Sequence, residues 1–477
     1  MTSFFNSTLT KRWVCSVGVV ILSAACQSAI AANWYVDNAV ATSGNGQSWA
    51  GAFNSFSTIS WSGISAGDTL YISGGTTSKT YSSSLVIGKS GTSSNRVTVR
   101  VGQDAGHTGT VIFDGANIQV YQNYITIDGR LNGVANLQIK NVTSSDKDNS
   151  WAIEAGGSIG LILRYVKVMN CNNGVNLTYG NSYEVSNSSM TARGDAVIRG
   201  IMTPLSGWDA NKIHDNFLES LFNGGGPDGI QVGHSTSIYN NTFKVTVDAS
   251  ALTSQHTDNL QLAGSNIKIY GNEFINIGDS NIDYDAWSDG IVENVYIYNN
   301  LFHMVTNIDP YPDFIRVYST GAQLNSFSNF KVLNNSFIDD RTTRTGVGQL
   351  IGFGFANGTG AGSGNEIRNN LFRGTQNMAI NRDTGGSQFV MAFSNNIYPQ
   401  AQTLDPSGKI GVPSLDANFV PRSSDTLARD QGTTVSYFST DKLGTARPQG
   451  SAFDVGAYEY SGNNSSALLQ PRNLRLQ

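Results

Sequence analysis

The sequence has very little cysteine. Its three cysteines are Cys15, Cys26 and Cys171, and the first two lie in an N-terminal segment with the features of an export signal. If that segment is removed, Cys171 alone remains, and a single thiol cannot form an intrachain disulfide. The folded protein therefore has to draw its stability from a large hydrophobic core.

Long apolar runs are missing from the body of the chain, where no stretch approaches the ~18 residues of a membrane-spanning helix. At the N terminus, two basic residues precede a short apolar run over 14–25, which leads to small residues ending at Ala31. This order predicts a secretory signal peptide over residues 1–31, so we expect a secreted or periplasmic protein without a membrane span. Acylation of Cys26, as in a lipoprotein, is an alternative, but Ser23 stands where such signals usually have a bulky aliphatic residue.

Charge is scarce as well, since Asp, Glu, Lys and Arg make up 14% of the residues and the formal net charge is −5. Binding to nucleic acid needs a basic surface, so this balance argues against nucleic acid as a partner. Runs with helical periodicity are absent, whereas glycine reaches 52 residues and asparagine is frequent. That composition is typical of many short strands joined by turns.

A six-residue pattern, Ile-Tyr-Asn-Asn-x-Phe, recurs along the second half of the chain. Its second Asn falls at positions 241, 272, 300, 335 and 370, a spacing of 28 to 35 residues, and weaker copies occupy 213–218 and 393–398. A second short apolar segment precedes the copies, at 228–232, 258–262, 289–293 and 313–317. A period of this length indicates a repeat architecture in which each repeat holds two or three short strands and no long helix.

A parallel coil explains this pattern better than a propeller, because propeller blades need tight two-residue hairpin turns that the sequence lacks. In a coil, each strand stacks on its equivalent one turn later, and identical Asn side chains can form a ladder that satisfies the buried polar groups of a corner. Because such a solenoid grows in one dimension, residues 32–460 can form a single domain. Residues 461–477, rich in Asn and Ser, indicate a disordered tail or a linker remnant.

The repeating unit Asp-Gly-Ile-x-Val followed by Ile-Tyr-Asn-Asn-x-Phe resembles the coil of the pectate-lyase-like right-handed parallel β-helix superfamily. The opening segments Trp34-Tyr-Val-Asp37, 48–53 and 67–68 resemble the start of bacterial secreted members, and the segment 454–460 resembles their closing strand. The resemblance covers almost the whole mature chain. It implies an all-β, single-domain, right-handed parallel β-helix that acts on a polysaccharide, but it is specific for architecture and not for one reaction.

Acidic residues recur at one corner of the predicted coils. The corner positions are Asp228, Asp258, Asp289 and Asp313, and the residues expected to face outward from the following strands are Gln231, Gln261, Val292 and Arg316. An Asp before a Gly is commonly a turn residue. Stacked strands lie ~4.8 Å apart, however, so neighbouring carboxylates would repel one another unless a proton, a cation or a base offset their charge.

A lyase acting on an acidic, uronic-acid-containing polysaccharide fits this column. The carboxylates of Asp228, Asp258 and Asp289 are oxygen ligands suited to Ca²⁺, which would hold the acidic sugar. The resemblance implies a Lys or Arg base, which would be Arg316, while His256 stays a rival because arginine is a poor base. We therefore predict a monomeric lyase in which the catalytic positions are Asp258, Asp289, Arg316 and His256 and the substrate-binding positions are Gln231, Gln261, Tyr284, Trp287 and Tyr311. Tyr311 is also a rival base.

Two other functions remain open at this stage. A glycoside hydrolase could use paired Asp residues, because adjacent corners at ~5 Å match the separation in retaining enzymes and corners two coils apart, at ~9.6 Å, approach that of inverting enzymes. Of the polygalacturonase-like motifs, only His256-Thr-Asp258 is matched, and only in part. A non-catalytic carbohydrate-binding protein or adhesin could use Trp287, Tyr284 and Tyr311 as platforms for sugars.

Overall fold

The computed structural model describes ten segments of the chain, namely residues 31–200, 207–252, 256–285, 290–309, 311–319, 325–343, 348–355, 362–375, 377–383 and 389–462. Residues 1–30 of the predicted signal peptide and 463–477 of the predicted tail lie outside these segments, so both assignments stay predictions. No helix in the described segments is long and apolar enough to cross a membrane.

Nearly all regular structure in these segments belongs to three parallel sheets, which we call sheets I, II and III. Sheet I contains the strands Asn33–Val36, Thr69–Ile72, Val97–Val101, Ile125–Asp128, Ile162–Arg164, Glu184–Ser186, Asn211–His214, Thr236–Tyr239, Ile267–Tyr270, Ile291–Tyr298, Ser326–Leu333, Gly362–Arg368 and Phe389–Ser394. Sheet II contains Ser78–Tyr81, Thr110–Asp114, Leu137–Lys140, Val166–Cys171, Ser189–Ala192, Phe217–Phe222, Thr242–Val247, Glu273–Ile275, Leu301–Met304, Ser336–Asp339, Leu371–Arg373, Ile397–Tyr398 and Lys409–Ile410.

Sheet III contains Leu85–Val86, Ile118–Gln119, Trp151–Glu154, Asn173–Asn176, Ala196–Gly200, Asp228–Val232, Leu260–Leu262, Ser280–Asp285, Asp313–Ser319, Gln349–Phe355 and Ala379–Asp383. Outside the three sheets, the described segments hold one antiparallel pair, Arg130–Leu131 with Val134–Ala135, and one 3-10 turn, Phe56–Thr58.

Each coil contributes one strand to each sheet in turn. The chain runs from Thr236–Tyr239 in sheet I to Thr242–Val247 in sheet II and Leu260–Leu262 in sheet III, and it re-enters sheet I at Ile267–Tyr270. Equivalent residues pair in register from coil to coil, so that Ile269 stacks on Ile238. The chain is therefore a single-domain right-handed parallel β-helix, as the repeat and the resemblance predicted.

The corner between sheets I and II is the repeated Asn-Asn pair. The first Asn takes a left-handed backbone conformation, with φ 57° at Asn240 and 53° at Asn299. The second Asn is buried, and its Nδ2 donates to the Oδ1 of the equivalent Asn one coil later, at 3.0 Å from Asn272 to Asn300 and 3.0 Å from Asn300 to Asn335. The predicted Asn ladder is thus confirmed, and it includes both weaker copies of the repeat, through Asn216 and Asn396.

The last residue of the repeat forms a second ladder inside the coil. The rings of Phe243, Phe274, Phe302, Phe337 and Phe372 are fully buried and stack at centroid distances of 4.6 to 4.8 Å. Together with the inward aliphatic residues of all three sheets, this stack forms one continuous core along the coil. A core of this extent explains how a chain whose described cysteine, Cys171, is free and buried can be stable.

One strand of the predicted acidic column is placed elsewhere. The sheet III strand of that coil is Ser280–Asp285, in which Ile282 pairs with Leu260, whereas Ile291 and Val292 pair with strand Ser326–Leu333 in sheet I. The prediction that 289–293 enters sheet III was therefore wrong, and Val292 is buried in the core. The physical reason is that the segment before the Ile297 repeat continues straight into it as one strand, Ile291–Tyr298.

Candidate functional site

The corner that leads into sheet III is built from buried carboxylates. Asp228 Oδ1 accepts a hydrogen bond from the backbone N–H of Asp258 at 2.7 Å, and Asp258 Oδ1 accepts one from the N–H of Ser280 at 2.8 Å. Farther along, Asp313 Oδ1 accepts from the N–H of Gln349 at 2.8 Å. Each carboxylate therefore ties its own coil to the next, and the corner acids have a structural role in addition to any chemical one.

These carboxylates are removed from water. The side chain of Asp258 is fully buried and that of Asp228 is 3% exposed. Burial raises the pKa of Asp258 to about 6, and burial together with the charge of Asp258 raises the pKa of Asp228 well above its ordinary value. Asp228 Oδ2 also accepts a hydrogen bond from Nε2 of Gln231 at 2.8 Å. Both shifts favour a protonated carboxyl in this pair, which relieves the repulsion between the two acids at short range.

His256 contacts this buried pair of carboxylates and is itself partly exposed to solvent. Its Nδ1 lies 3.1 Å from Asp258 Oδ2 and 3.8 Å from Asp228 Oδ1, and its side chain remains 32% exposed. The contact with Asp258 raises the pKa of His256 to about 9, because the carboxylate favours the charged imidazolium. An imidazole that is held by a carboxylate on one side and exposed on the other is suited to proton transfer.

Arg316 lies two coils away in the outward column of sheet III. Its Nε donates to Asp283 Oδ1 at 2.9 Å, and its Nη2 lies 2.9 Å from Asp279 Oδ2. Burial lowers the pKa of Arg316, but the hydrogen bond to Asp283 and the surrounding carboxylates outweigh that effect and raise it overall. A guanidinium held in this way keeps its charge, which makes it a poor base, and the role of Arg316 stays a prediction.

The outward column therefore differs in one position from the sequence prediction. Register places Gln231, Gln261, Asp283 and Arg316 side by side on successive coils. Asp283 was missed as a member of this column, and Asp279 as its neighbour. The alternation of Ile282 and Tyr284 with polar residues indicates a strand, but the Asp-Gly signal at 289–290 indicates a second one, and the local pattern does not decide between them.

Of the predicted substrate-binding residues, Gln231 and Gln261 take their expected places in the outward column, whereas the three aromatic residues differ from one another. Tyr284 is fully buried, and its hydroxyl donates to the carbonyl oxygen of Gly264, so the prediction that it forms a sugar platform was wrong. Period-two alternation turns it inward because Asp283 faces outward. Tyr311 is 65% exposed two residues before Asp313 and stays available. Trp287 lies outside the described residues, and so does Asp289, which was predicted as a catalytic residue and a metal ligand.

A metal ion could be considered at this corner, because Asp228, His256 and Asp258 each offer a ligand atom and these atoms lie within 4.8 Å of one another. The set does not fit Ca²⁺, which prefers six to eight oxygen ligands. Both oxygens of Asp228 and Oδ1 of Asp258 already accept hydrogen bonds, and the remaining Asp258 oxygen faces an imidazole nitrogen. We therefore derive no step through calcium, and Asp289 remains a predicted ligand only.

Comparison with solved structures agrees with the architecture. The chain is 15% identical to the pectate lyase Pel9A (TM-score 0.45; 90% of this chain and 96% of that one), 10% identical to XylC in complex with xylose (0.55; 89% and 98%) and 13% identical to a rhamnogalacturonan lyase (0.44; 80% and 89%). No family model matches the chain, and no curated protein matches its sequence. The likeness to the XylC structure, at a TM-score of 0.55, agrees with a parallel β-helix fold, and the chemistry of the chain has to be argued from its own residues.

Proposed function

We propose that the chain is a secreted polysaccharide lyase that cleaves an acidic, uronic-acid-containing polysaccharide by β-elimination along the outward face of sheet III. The observation that carries this proposal is the exposed imidazole of His256, which is backed by the buried carboxylate of Asp258 and lies two coils from the fixed cation Arg316. Secretion rests on the sequence prediction for residues 1–31.

The proposed base is His256. In its neutral form, the imidazole takes the proton from the carbon next to the sugar carboxylate, and the electron pair of that C–H bond forms a carbon–carbon double bond. The bond from the neighbouring carbon to the glycosidic oxygen breaks, and the departing oxygen takes up a proton. Asp258 fixes the ring orientation through Nδ1 and stabilises the imidazolium that forms, so it is a positioning residue.

The proposed electrostatic partner is Arg316. Removal of a proton next to a carboxylate places additional negative charge on the carboxylate oxygens, and a guanidinium stabilises that charge without a proton transfer of its own. Its two ion pairs with Asp279 and Asp283 hold the guanidinium in place before substrate arrives. Preorganised charge of this kind contributes more than a mobile side chain in solvent.

The hydrolase alternative is weaker because its predicted pair of acids is inaccessible. A glycosidase needs two carboxyl groups that reach the glycosidic bond, but Asp228 and Asp258 are buried and bound to backbone N–H groups. Asp279 and Asp283 are both held by Arg316. Asp313 is likewise buried and accepts the backbone N–H of Gln349, so it does not supply the accessible acid that this alternative needs.

The test is incubation of the purified protein with pectate, alginate and neutral polysaccharides, monitored by the ultraviolet absorbance of unsaturated sugar ends and by an assay for reducing ends. New absorbance on a polyuronate supports the lyase. Reducing ends without absorbance would establish a hydrolase, and binding without cleavage would establish a carbohydrate-binding protein. N-terminal sequencing of exported protein tests secretion, and we expect it to begin at Ala32.

A further inference from the structure

The outward column of sheet III contains a second arginine. Register continues the column from Arg316 through Asp283, Gln261 and Gln231 to Arg199. Four coil steps separate the two arginines, which at about 4.8 Å per step is about 19 Å along the helix axis. The coil that carries Gln261 also carries His256 at its corner, so His256 lies midway between the two cations.

The guanidinium of Arg199 is held in place by two contacts, but some of its N–H donors have no hydrogen-bond partner among the described residues. Its Nη1 lies 2.5 Å from Asp195 Oδ2, and its central carbon lies 4.9 Å from the centre of the buried Trp151 ring. The side chain is 25% exposed, and among the described residues Nε and Nη2 of Arg199 have no hydrogen-bond partner. Two N–H donors along one edge of a fixed guanidinium match the two oxygens of a carboxylate.

Beyond Arg199, the outward column of sheet III contains an amide and then a carboxylate. The next two outward residues are Asn176 and Glu154, and Asn176 Nδ2 donates to Glu154 Oε1 at 2.9 Å. A carboxylate at that point repels an acidic polymer, whereas the two amides between Arg199 and Asp283 are neutral. The stretch of the column without a carboxylate therefore runs from Arg199 through Gln231 to Gln261, and beyond it the charge of Asp283 is paired with Arg316.

We propose that Arg199 is a distal carboxylate-binding residue, which receives a uronate unit two coils away from the unit that lies at His256. This inference rests on the proposed function, because it assumes an acidic polymer laid along sheet III. It adds a length requirement, since only an oligomer that reaches from His256 to Arg199 gains the second ion pair.

The experiment compares Arg199→Gln with the wild type on a series of uronate oligomers from dimer to hexamer. We expect the ratio of kcat/KM for the longest over the shortest oligomer to fall by about tenfold, the size of one lost charge-assisted hydrogen bond, through KM and not kcat. Lys212→Gln is the matched control, because Lys212 is an exposed cation on sheet I. An unchanged ratio, or an equal loss at every length, overturns the inference.

A binding assay separates this inference from the proposed reaction. His256→Ala protein is titrated with the same oligomers by calorimetry, with and without Arg199→Gln. If affinity rises with length and Arg199→Gln removes the rise, the inference holds even when no cleavage is observed, and only the lyase proposal fails. If the wild type cleaves polyuronates but affinity does not depend on Arg199, the inference fails alone. Absence of binding to every uronate oligomer overturns both.

Discussion

The carboxylate of Asp228 accepts the backbone N–H of Asp258 at 2.7 Å. The same contact that joins two coils also brings two acidic side chains together and places His256 within 3.8 Å of both. Because an N–H dipole and a retained proton offset the repulsion, the corner is stable with two carboxyl groups at short range. The carboxylate atoms that join the two coils therefore also take part in the proposed proton transfer.

Replacement of His256 by Ala should reduce kcat by at least about 100-fold, the usual contribution of a general base. The fold should be unaffected, because the ring is partly exposed and forms no part of the core. Turnover on a polyuronate and thermal unfolding check the two statements. His303→Ala, which removes an outward imidazole from sheet II, is the control. Unaltered turnover in His256→Ala would assign the base elsewhere.

The activity should rise with pH toward an apparent pKa near 9. His256 has to lose its proton to act as a base, and the contact with Asp258 raises its pKa to about 9, so the active fraction grows as pH rises through that value. Asp258→Asn keeps an oxygen for the N–H of Ser280 but removes the charge. It should lower kcat and move the apparent pKa toward about 6.5. A profile with an optimum below about pH 6 would contradict a histidine base.

The stability of the protein should depend on the protonation of Asp313. Burial raises its pKa in the folded state to about 7, above the unfolded value of 3.8. The folded state therefore holds the proton more tightly, and the stabilisation present below the unfolded pKa is lost as pH rises through about 7. Urea unfolding at about pH 5 and about pH 8 should show a difference on the order of 2–4 kcal/mol that Asp313→Asn removes. An identical difference in the variant would show that other groups cause it.

Loss of one rung from the Asn ladder should destabilise the coil strongly. Asn300 donates to the carbonyl oxygen of Ile269 and to Asn335, and it accepts from Asn272, all within the core. Asn300→Ala leaves these partners unsatisfied, which we expect to cost at least about 3 kcal/mol. Asn38→Ala, at an exposed position with one hydrogen bond, should cost less than about 1 kcal/mol. Comparable losses in the two variants would mean that the ladder adds little to the stability of this corner.

Chelation of divalent cations should leave the activity intact. The oxygens of Asp228 and Asp258 are occupied by hydrogen-bond donors and by His256, and Arg316 already supplies a fixed positive charge. Turnover before and after treatment with a chelator checks this. Loss of activity that added Ca²⁺ restores would instead support the predicted calcium site and would bring Asp289 back as a ligand.

The sequence predicted the architecture well because the repeated Asn has to be buried and paired on each coil from Asn216 to Asn396, which leaves a strict pattern. It predicted the site less completely. Two candidate strands, 280–285 and 289–293, lie within one repeat, and alternation alone does not decide which enters sheet III. The error removed Asp283 from the column and wrongly placed Tyr284 at the surface. Only the register between strands of neighbouring coils decides the places of Asp283 and Tyr284, and the local sequence pattern does not specify that register.

The coil also separates two kinds of connection. The turn from sheet I to sheet II has the same two-residue length and the same buried second Asn in each copy of the repeat, whereas the chain between sheets II and III varies from residues 248–259 to residues 276–279. The part of such a segment that precedes the corner residues, such as 248–252 ahead of His256 and Asp258, can be lengthened without altering the spacing of the coils. New sequences grafted there would alter which polymers bind along sheet III, while the distance between successive coils stays the same.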